Sequence, residues 1–433
     1  MTTLFTNVTA LLMDEAFTTL RYGYVAVDGT NISYVGPNRP QGDFDQTIDC
    51  TGKVMMPGFV NCHTHIPMTL MRGYGGGCDL QTWLNDYIFP AEGRWDDRAM
   101  AAATGLGLAE MIASGVTCIA DMYMRPGVIA RQALDAGISA NLSVGAVYFG
   151  RPEDFSPDTC GDCENHVRLY EDWHNAGDGQ IQVDASIHAE YTSCAPAWEW
   201  VAGFAQRHGL GMHVHISETQ KEHEECLNKY GSTPIQLLNR YGVWDIRAIA
   251  AHCVYTTPED WAIMVQKGVS CGHNPYSNLK LGSGVAPIPA MGRAGVNVAL
   301  GTDGVSSHNS VDMFADMKLA AVLHNGVGRD PMAVTARQAL EMATVNGARA
   351  LGRNTGRIEA GRIADLILVD FTAPNLTPCH DEAENLVYAA HGSNVAMNMA
   401  RGRVIYQNGA FLTLDLDRIK AEVRQYALPL IFG

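Results

Sequence analysis

No run of 18 apolar residues occurs in this chain, so nothing in it reads as a membrane-spanning helix. Positive charge is also scarce. Thirty lysines and arginines stand against 46 aspartates and glutamates, a net charge of −16. A surface of that sign repels a phosphate backbone, which argues against nucleic-acid polymers as partners. Paired cysteine motifs are nearly absent: the eleven cysteines are scattered, with one Cys-x-x-Cys, Cys160 to Cys163, and no second half to complete a metal knuckle. An odd, dispersed set is expected to be reduced thiols in a cytoplasmic protein, with 160–163 an ordinary loop. There is no Pro- or Ser-rich linker and no low-complexity tract. The start, MTTLFTNVTALLMDEAF, lacks a basic n-region and meets acids early, so a signal peptide is not expected.

What is present is a chain of 433 residues, 47% hydrophobic, long enough for a large core and more than one domain. From about residue 54 to 350, short apolar runs alternate with amphipathic stretches. The runs are KVMMPGFVN, GVTCIADMY, ISANLSVGAV, IQVDASIH, LGMHVHIS, IRAIAAHC, GVSCG and GVNVALGTD. Between them lie helical patterns such as APAWEWVAGFAQRHG and TPEDWAIMVQKG, closed by a glycine as a helix end prefers. Eight strand-then-helix units over some 300 residues predict a (β/α)8 TIM barrel. A doubly wound sheet is the rival, but it would want a Gly-rich phosphate turn after its first strand, where this chain has His-Thr-His.

The flanks differ. YGYVAVDGTNISYVG near the start, and ADLILVDF and ARGRVIYQNGAFL near the end, read as short strands, with Asn408-Gly409 a hairpin signal. Neither flank makes a core alone. The expected architecture is α/β: a small composite β-sandwich domain from residues 1–56 and 357–433, with the barrel, 57–356, inserted between them.

Active sites of such barrels lie at the C-terminal ends of the strands, so the strand ends matter most. In PGFVNCHTH, His63 and His65 sit two apart, a spacing that puts both side chains on one face of a strand. Strand five ends at His215, with Glu218 three residues on; strand six ends at His252 and strand eight at Asp303. The inward residues before them, Ala248, Ala250, Ala299 and Gly301, are small and are expected to leave room for an ion and a ligand. Four imidazoles and a carboxylate suit a borderline-soft divalent ion, zinc most simply, with a coordination position left for a water whose pKa falls to about 7. Glu218 is placed to move protons without ligating the metal. His213, two residues before His215, is expected to be a hydrogen-bonded neighbour. Asn274, Ser277, Asn278 and Lys280, after strand seven, are read as loop supports or substrate contacts.

PGFVNCHTH, HVHISE, AHCV, GHNPYSNLKLGSGVAP and GTDG, in this order and spacing, resemble the amidohydrolase superfamily, and within it the branch of 5-methylthioadenosine/S-adenosylhomocysteine deaminases. The resemblance implies one divalent ion, zinc or iron, held by His63, His65, His215 and Asp303. No lysine stands where two-metal members carry a bridging one. It also implies that Glu218 protonates a ring nitrogen, that Asp303 takes a proton from water, and that His252 steadies the oxyanion. Glu92 matches a residue that binds ribose hydroxyls, His188 one that reaches the substrate, and Trp83 lies in the loop lining the pocket.

The chain departs from the pattern at the end of strand three. Relatives that accept S-adenosylhomocysteine carry an arginine there, where NLSVGAVYFGR offers Val144 and only later Arg151, which is kept as a candidate substrate contact. The expected activity is metal-dependent hydrolytic deamination of an aminated purine nucleoside such as 5′-methylthioadenosine, S-adenosylhomocysteine or adenosine. The rival is a deaminase or dechlorinase of the same superfamily acting on a pterin, guanine, cytosine or triazine ring; a second rival is a non-catalytic scaffold of the same fold. A homo-oligomer is expected.

Overall fold

In the computed structural model, which describes residues 1–78 and 80–433, eight strand positions form a parallel barrel. They are Phe59–Thr64, Val116–Met122, Ser139–Ser143, a fourth in two pieces (Ile181–Val183 and Ala185–Ile187), Met212–Ile216, Ala248–His252, Val269–His273 and Asn297–Leu300. Almost every residue in them is buried, as strands packed inside a ring of helices must be. The helices follow the patterned stretches. Pro258–Lys267 starts on a Thr257/Asp260 capping box, and Gly268 ends it at φ +70°, a conformation glycine adopts without steric cost.

The fourth strand breaks at Asp184. Its carboxylate accepts the Gly211 amide (3.0 Å) and the Asn141 side-chain amide (2.8 Å), and pairs with Arg247. The break therefore ties the third and fifth strands together. The ring closes between the eighth and first strands: Asp303 N–H donates to the His63 carbonyl (2.9 Å), and Thr302 N–H to the Asn61 side chain (3.0 Å). Gly301 serves this seam. A Cβ there would lie 2.9 Å from His63 N, so the missing side chain lets two strands meet rather than making room for an ion.

The run KVMMPGFVN, read from the sequence as one strand, is two. Lys53–Pro57 belongs to an outer sheet and Phe59–Thr64 to the barrel. The exchange happens at Gly58, whose N–H donates to Asp365 O of the outer layer, while the N–H of Phe59 donates to Gly115 O of the barrel. Thr117 crowds the place a Cβ would occupy at Gly58.

The outer layer is one nine-stranded sheet drawn from both chain ends, in which Lys53–Pro57 lies between Thr2–Leu11 and Leu366–Asp370. Its hydrogen-bonded path is continuous, with bulges at several register shifts. Phe5, Val25, Met55, Leu366, Met397 and Met399 share its core. The Asn408-Gly409 hairpin joins Arg403–Gln407 to Ala410–Phe411. Beyond it the chain leaves this layer. Leu416–Glu422 and the helical residues after it lie against Asp97–Ala113 of the barrel, tied by Arg98–Glu422, by Tyr426 to Asp96, and by Arg94 to the Ile431 carbonyl. Among the described residues, no helix is long and apolar enough to cross a membrane.

Candidate active site

The C-terminal ends of the barrel strands open into a cavity of about 680 Å³, within the range of small-molecule sites. His65, His215, His252 and Asp303 line it, with His63 fully buried beside them. The ligand atoms of His63, His65 and Asp303 lie within 4.8 Å of one another, as do those of His63, His215 and His252.

Hydrogen bonds at the far side of two rings fix what the near side presents. His65 Nδ1 faces the Met122 carbonyl at 2.5 Å, and His215 Nδ1 faces the His188 carbonyl at 2.7 Å. A carbonyl oxygen only accepts, so each Nδ1 carries the hydrogen, and in the neutral ring each Nε2 is a bare lone pair. Those two Nε2 atoms stand 3.2 Å apart. Asp303 Oδ1 is 3.3 Å from His65 Nε2 and 3.5 Å from His63 Nε2. His63 Nε2 is buried without a hydrogen-bond partner, while its Nδ1 meets His213 Nε2 at 2.9 Å. Burial pushes the His63 imidazole down to about 3 and that of His215 well below its ordinary value, so both rings are neutral at pH 7. Converging lone pairs beside a carboxylate repel unless a cation sits between them. The set is nitrogen and oxygen only, so it fits a divalent ion such as zinc, with His63, His65, His215 and Asp303 able to hold it.

Asp303 is held on its other side. Its Oδ2 accepts the hydroxyls of Ser277 (2.5 Å) and Ser307 (2.8 Å), and its Oδ1 the Gly304 N–H (2.7 Å). Asn278 and Asn274 support His252, at 2.8 and 3.3 Å from its Nδ1, and Lys280 ties the Ser306 carbonyl. Ser277 thus reaches the site through Asp303, a role the sequence pattern left open. Glu218 follows strand five through a turn in which Ser217 has φ +48°. Its Oε2 is 3.7 Å from His252 Nε2, and Ser283 donates to its Oε1 at 3.5 Å. Burial raises the Glu218 pKa, the neighbouring His252 acting against that rise.

Glu92, His188 and Trp83 line the same cavity. Burial lowers the His188 imidazole to about 4, and its Nδ1 lies 3.2 Å from the Thr192 hydroxyl. Glu92 accepts a hydrogen bond from Tyr123, a residue that the spacing of the motifs gave no reason to single out; burial pushes this carboxyl up to about 7. Arg151 is not brought in. It lies outside the lining, its side chain 72% exposed and forked on Asp154 at 2.8 and 3.0 Å, because a short exposed helical turn, Pro152–Asp154, carries the acid that captures it. The arginine that does line the cavity is Arg125, itself paired with Asp97 at 2.5 Å.

This arrangement agrees with what the chain resembles. Residues 54–405 match the amidohydrolase family. A 5-methylthioadenosine/S-adenosylhomocysteine deaminase of Moorella thermoacetica is 43% identical over 407 residues, 93% of this chain and 94% of that protein. A 5′-deoxyadenosine deaminase of Methanosarcina acetivorans is 38% identical over 425 residues, 98% of this chain and 97% of that protein. Among solved structures, an adenosine deaminase from Xanthomonas campestris with bound zinc superposes with a TM-score of 0.93 at 32% identity, covering 99% of this chain and 98% of that one. With most of its length matched and its strand ends converging on a cation-binding pocket, this chain belongs to the amidohydrolase family.

Proposed function

We propose that the protein is a metal-dependent aminohydrolase that replaces the exocyclic amino group of a purine nucleoside with oxygen, consuming water and releasing ammonia. The observation that carries this reading is the pair of bare imidazole nitrogens facing each other beside Asp303, with Glu218 and His252 at the same cavity floor. A bound divalent ion supplies Lewis acidity and brings the pKa of a coordinated water to about 7. The chain's own groups do the rest. Asp303 accepts the proton of the attacking water. Glu218, its pKa raised by burial, delivers its proton to the ring nitrogen next to the amino-bearing carbon; Asp303 passes the proton it took from water to the departing ammonia, and Glu218 recovers one from the added oxygen as the carbonyl forms. His252 hydrogen-bonds the oxygen that gains charge in the tetrahedral intermediate. Glu92 accepts the ribose hydroxyls, while His188 and Trp83 frame the base.

The nucleoside choice is supported by the relatives, which are named for 5-methylthioadenosine, S-adenosylhomocysteine, 5′-deoxyadenosine and adenosine. Within that class we favour an uncharged 5′ end. Val144, Val147 and Phe149 line the cavity, Arg125 is engaged by Asp97, and Arg151 is outside. The eleven cysteines, none of them in a disulfide, support a reducing, cytoplasmic setting.

The test is ammonia release from 5′-methylthioadenosine, 5′-deoxyadenosine, adenosine and S-adenosylhomocysteine beside a pterin, guanine and a triazine. The uncharged nucleosides should lead. Turnover confined to a pterin or triazine would remove the nucleoside assignment, and S-adenosylhomocysteine as the best substrate would remove the preference for a neutral tail. Glu218→Gln should keep the metal and lose about 10²–10⁴-fold in kcat, the range a general acid–base group supplies.

A further inference from the structure

Two buried carboxyls behind the site have no part in the chemistry described so far. Glu222 sits in the first turn of the helix Gln220–Tyr230 and is 6% exposed; Glu190 opens the short turn Glu190–Thr192 after strand four and is 2% exposed. An ordinary capping-box glutamate returns to the amide of the N-cap residue, here Thr219, and stops. Glu222 makes that bond as its longest, 3.5 Å. Its two shorter bonds go further back, from Ser217 N–H to Oε1 (2.6 Å) and from Glu218 N–H to Oε2 (2.8 Å). One carboxylate therefore gathers three consecutive backbone N–H groups, and Glu218 is the middle one. The same turn holds Ser217 in the left-handed region, φ +48°, a conformation that a residue other than glycine keeps only when neighbours impose it.

We propose that Glu222 is a positioning residue for Glu218, fixing the turn that aims the acid into the cavity. This rests on the reading of Glu218 as the acid–base group. Glu222 has three N–H donors to satisfy a negative charge, whereas Glu190 Oε2 has no partner. Burial raises both carboxyls, Glu222 to about 7 and Glu190 well above the usual carboxyl range. The other titratable groups around this turn include His223, whose Nδ1 meets Ser217 Oγ at 3.3 Å, Tyr191 and Cys226, which feel the charges of Glu190 and Glu222, and His252 and Asp303 on the cavity side of Glu218.

The experiment is a double-mutant cycle on the zinc-loaded enzyme with Glu222→Gln and Glu218→Gln. A glutamine at 222 offers one oxygen where three N–H groups converge and turns an NH₂ towards the rest. Glu222→Gln is expected to lower kcat about 10–100-fold, to change KM less than threefold, to keep one metal per chain, and to move the alkaline limb of the pH–rate profile that Glu218 governs. In the Glu218→Gln background the same change should cost less than twofold, because its effect passes through Glu218. An equal loss in both backgrounds, or unaltered kcat and pH profile in the single variant, overturns the positioning role. Full activity of Glu218→Gln would instead defeat the underlying assignment of the acid. Should Glu222→Gln fail to fold, Glu222→Asp decides: its shorter carboxylate is expected to lower kcat and move the alkaline limb with the metal retained, and parental kcat and pH profile overturn the positioning role.

Discussion

His65 and His215 point their Nε2 atoms at each other across 3.2 Å, and in its neutral form each ring spends its only N–H on a backbone carbonyl behind it. Chelation should therefore leave a strained, self-repelling floor. One divalent ion per chain is expected by elemental analysis, with loss of ammonia release on treatment with a strong chelator and recovery on adding zinc. Because the ion binds the folded site, zinc at a hundred times its Kd should stabilise the protein by about 2.7 kcal/mol. Equal melting temperatures with and without metal would count against a site in this position.

Asp303→Asn tests the carboxylate. Oδ2 accepts from both Ser277 and Ser307, so an amide must keep its oxygen there. Its NH₂ is then forced towards the bare imidazole nitrogens, where the cation belongs. Both metal content and rate should fall, the rate by about 10²–10⁴-fold. Full metal occupancy with parental kcat would show that Asp303 neither binds nor moves a proton.

The pH dependence should follow Glu218. Burial favours its protonated form, so its folded pKa is raised and the acid keeps its proton to higher pH than an exposed carboxyl would. Activity that needs this proton is present below the raised pKa and declines as pH rises through it. Comparing kcat/KM between pH 6 and 9 in the parent and in Glu218→Gln checks the sign: the alkaline decline should vanish in the variant. A decline of the same midpoint in both would assign it to another group.

How far such features can be read in advance depends on how local they are. The His63/His65 pair is legible because two residues on one strand face share a direction whatever the barrel does. Glycine-ended helices such as Pro258–Lys267 are legible for the same reason. What depends on distant segments meeting is not. The role of Gly301 belongs to a seam between strands some 240 residues apart in sequence, as the Asn61–Thr302 bond shows, so a small residue there reads as space for a ligand until the closure is seen. Tyr123 is unremarkable in GVTCIADMY and acquires meaning only when Glu92 arrives from another loop. Arg151 fails in the opposite sense. Its charge suggested a substrate contact, but Glu153 and Asp154 beside it offer a closer partner.

Tyr123→Phe should expose the link to Glu92. The tyrosine's hydrogen bond lowers a carboxyl pKa that burial has pushed up to about 7. Without it Glu92 rises further and is more protonated at any pH near neutrality, leaving it a poorer acceptor for ribose hydroxyls. A hydrogen bond worth about 0.5–1.5 kcal/mol corresponds to a KM rise of roughly 2–10-fold, with kcat little changed. The effect should be greater at pH 6.5 than at pH 8.5. A KM that is unaffected at both values, measured with adenosine, would detach Glu92 from sugar binding.

The last prediction concerns the seam itself. At Gly301 an added Cβ would lie 2.8 Å from His63 Cβ and 2.9 Å from His63 N, and would also strike Asn274, which faces His252. The obstacle is mostly a metal-binding residue's own backbone and Cβ, which cannot swing away as a long side chain could. Gly301→Ala should therefore destabilise the protein by about 1–3 kcal/mol, the usual cost of overpacking, and should lose zinc affinity by moving His63. Gly292→Ala is the matched comparison. It lies in the helix Ile288–Ala294 with nothing within 4 Å of the new methyl, so it should be neutral or stabilise by about 0.5–1 kcal/mol. Thermal unfolding of the two variants, with and without zinc, separates a local clash at the barrel seam from a general intolerance of substitution. If Gly301→Ala melts and binds metal as Gly292→Ala does, the eighth and first strands do not meet as closely as the His63–Asp303 backbone bond requires.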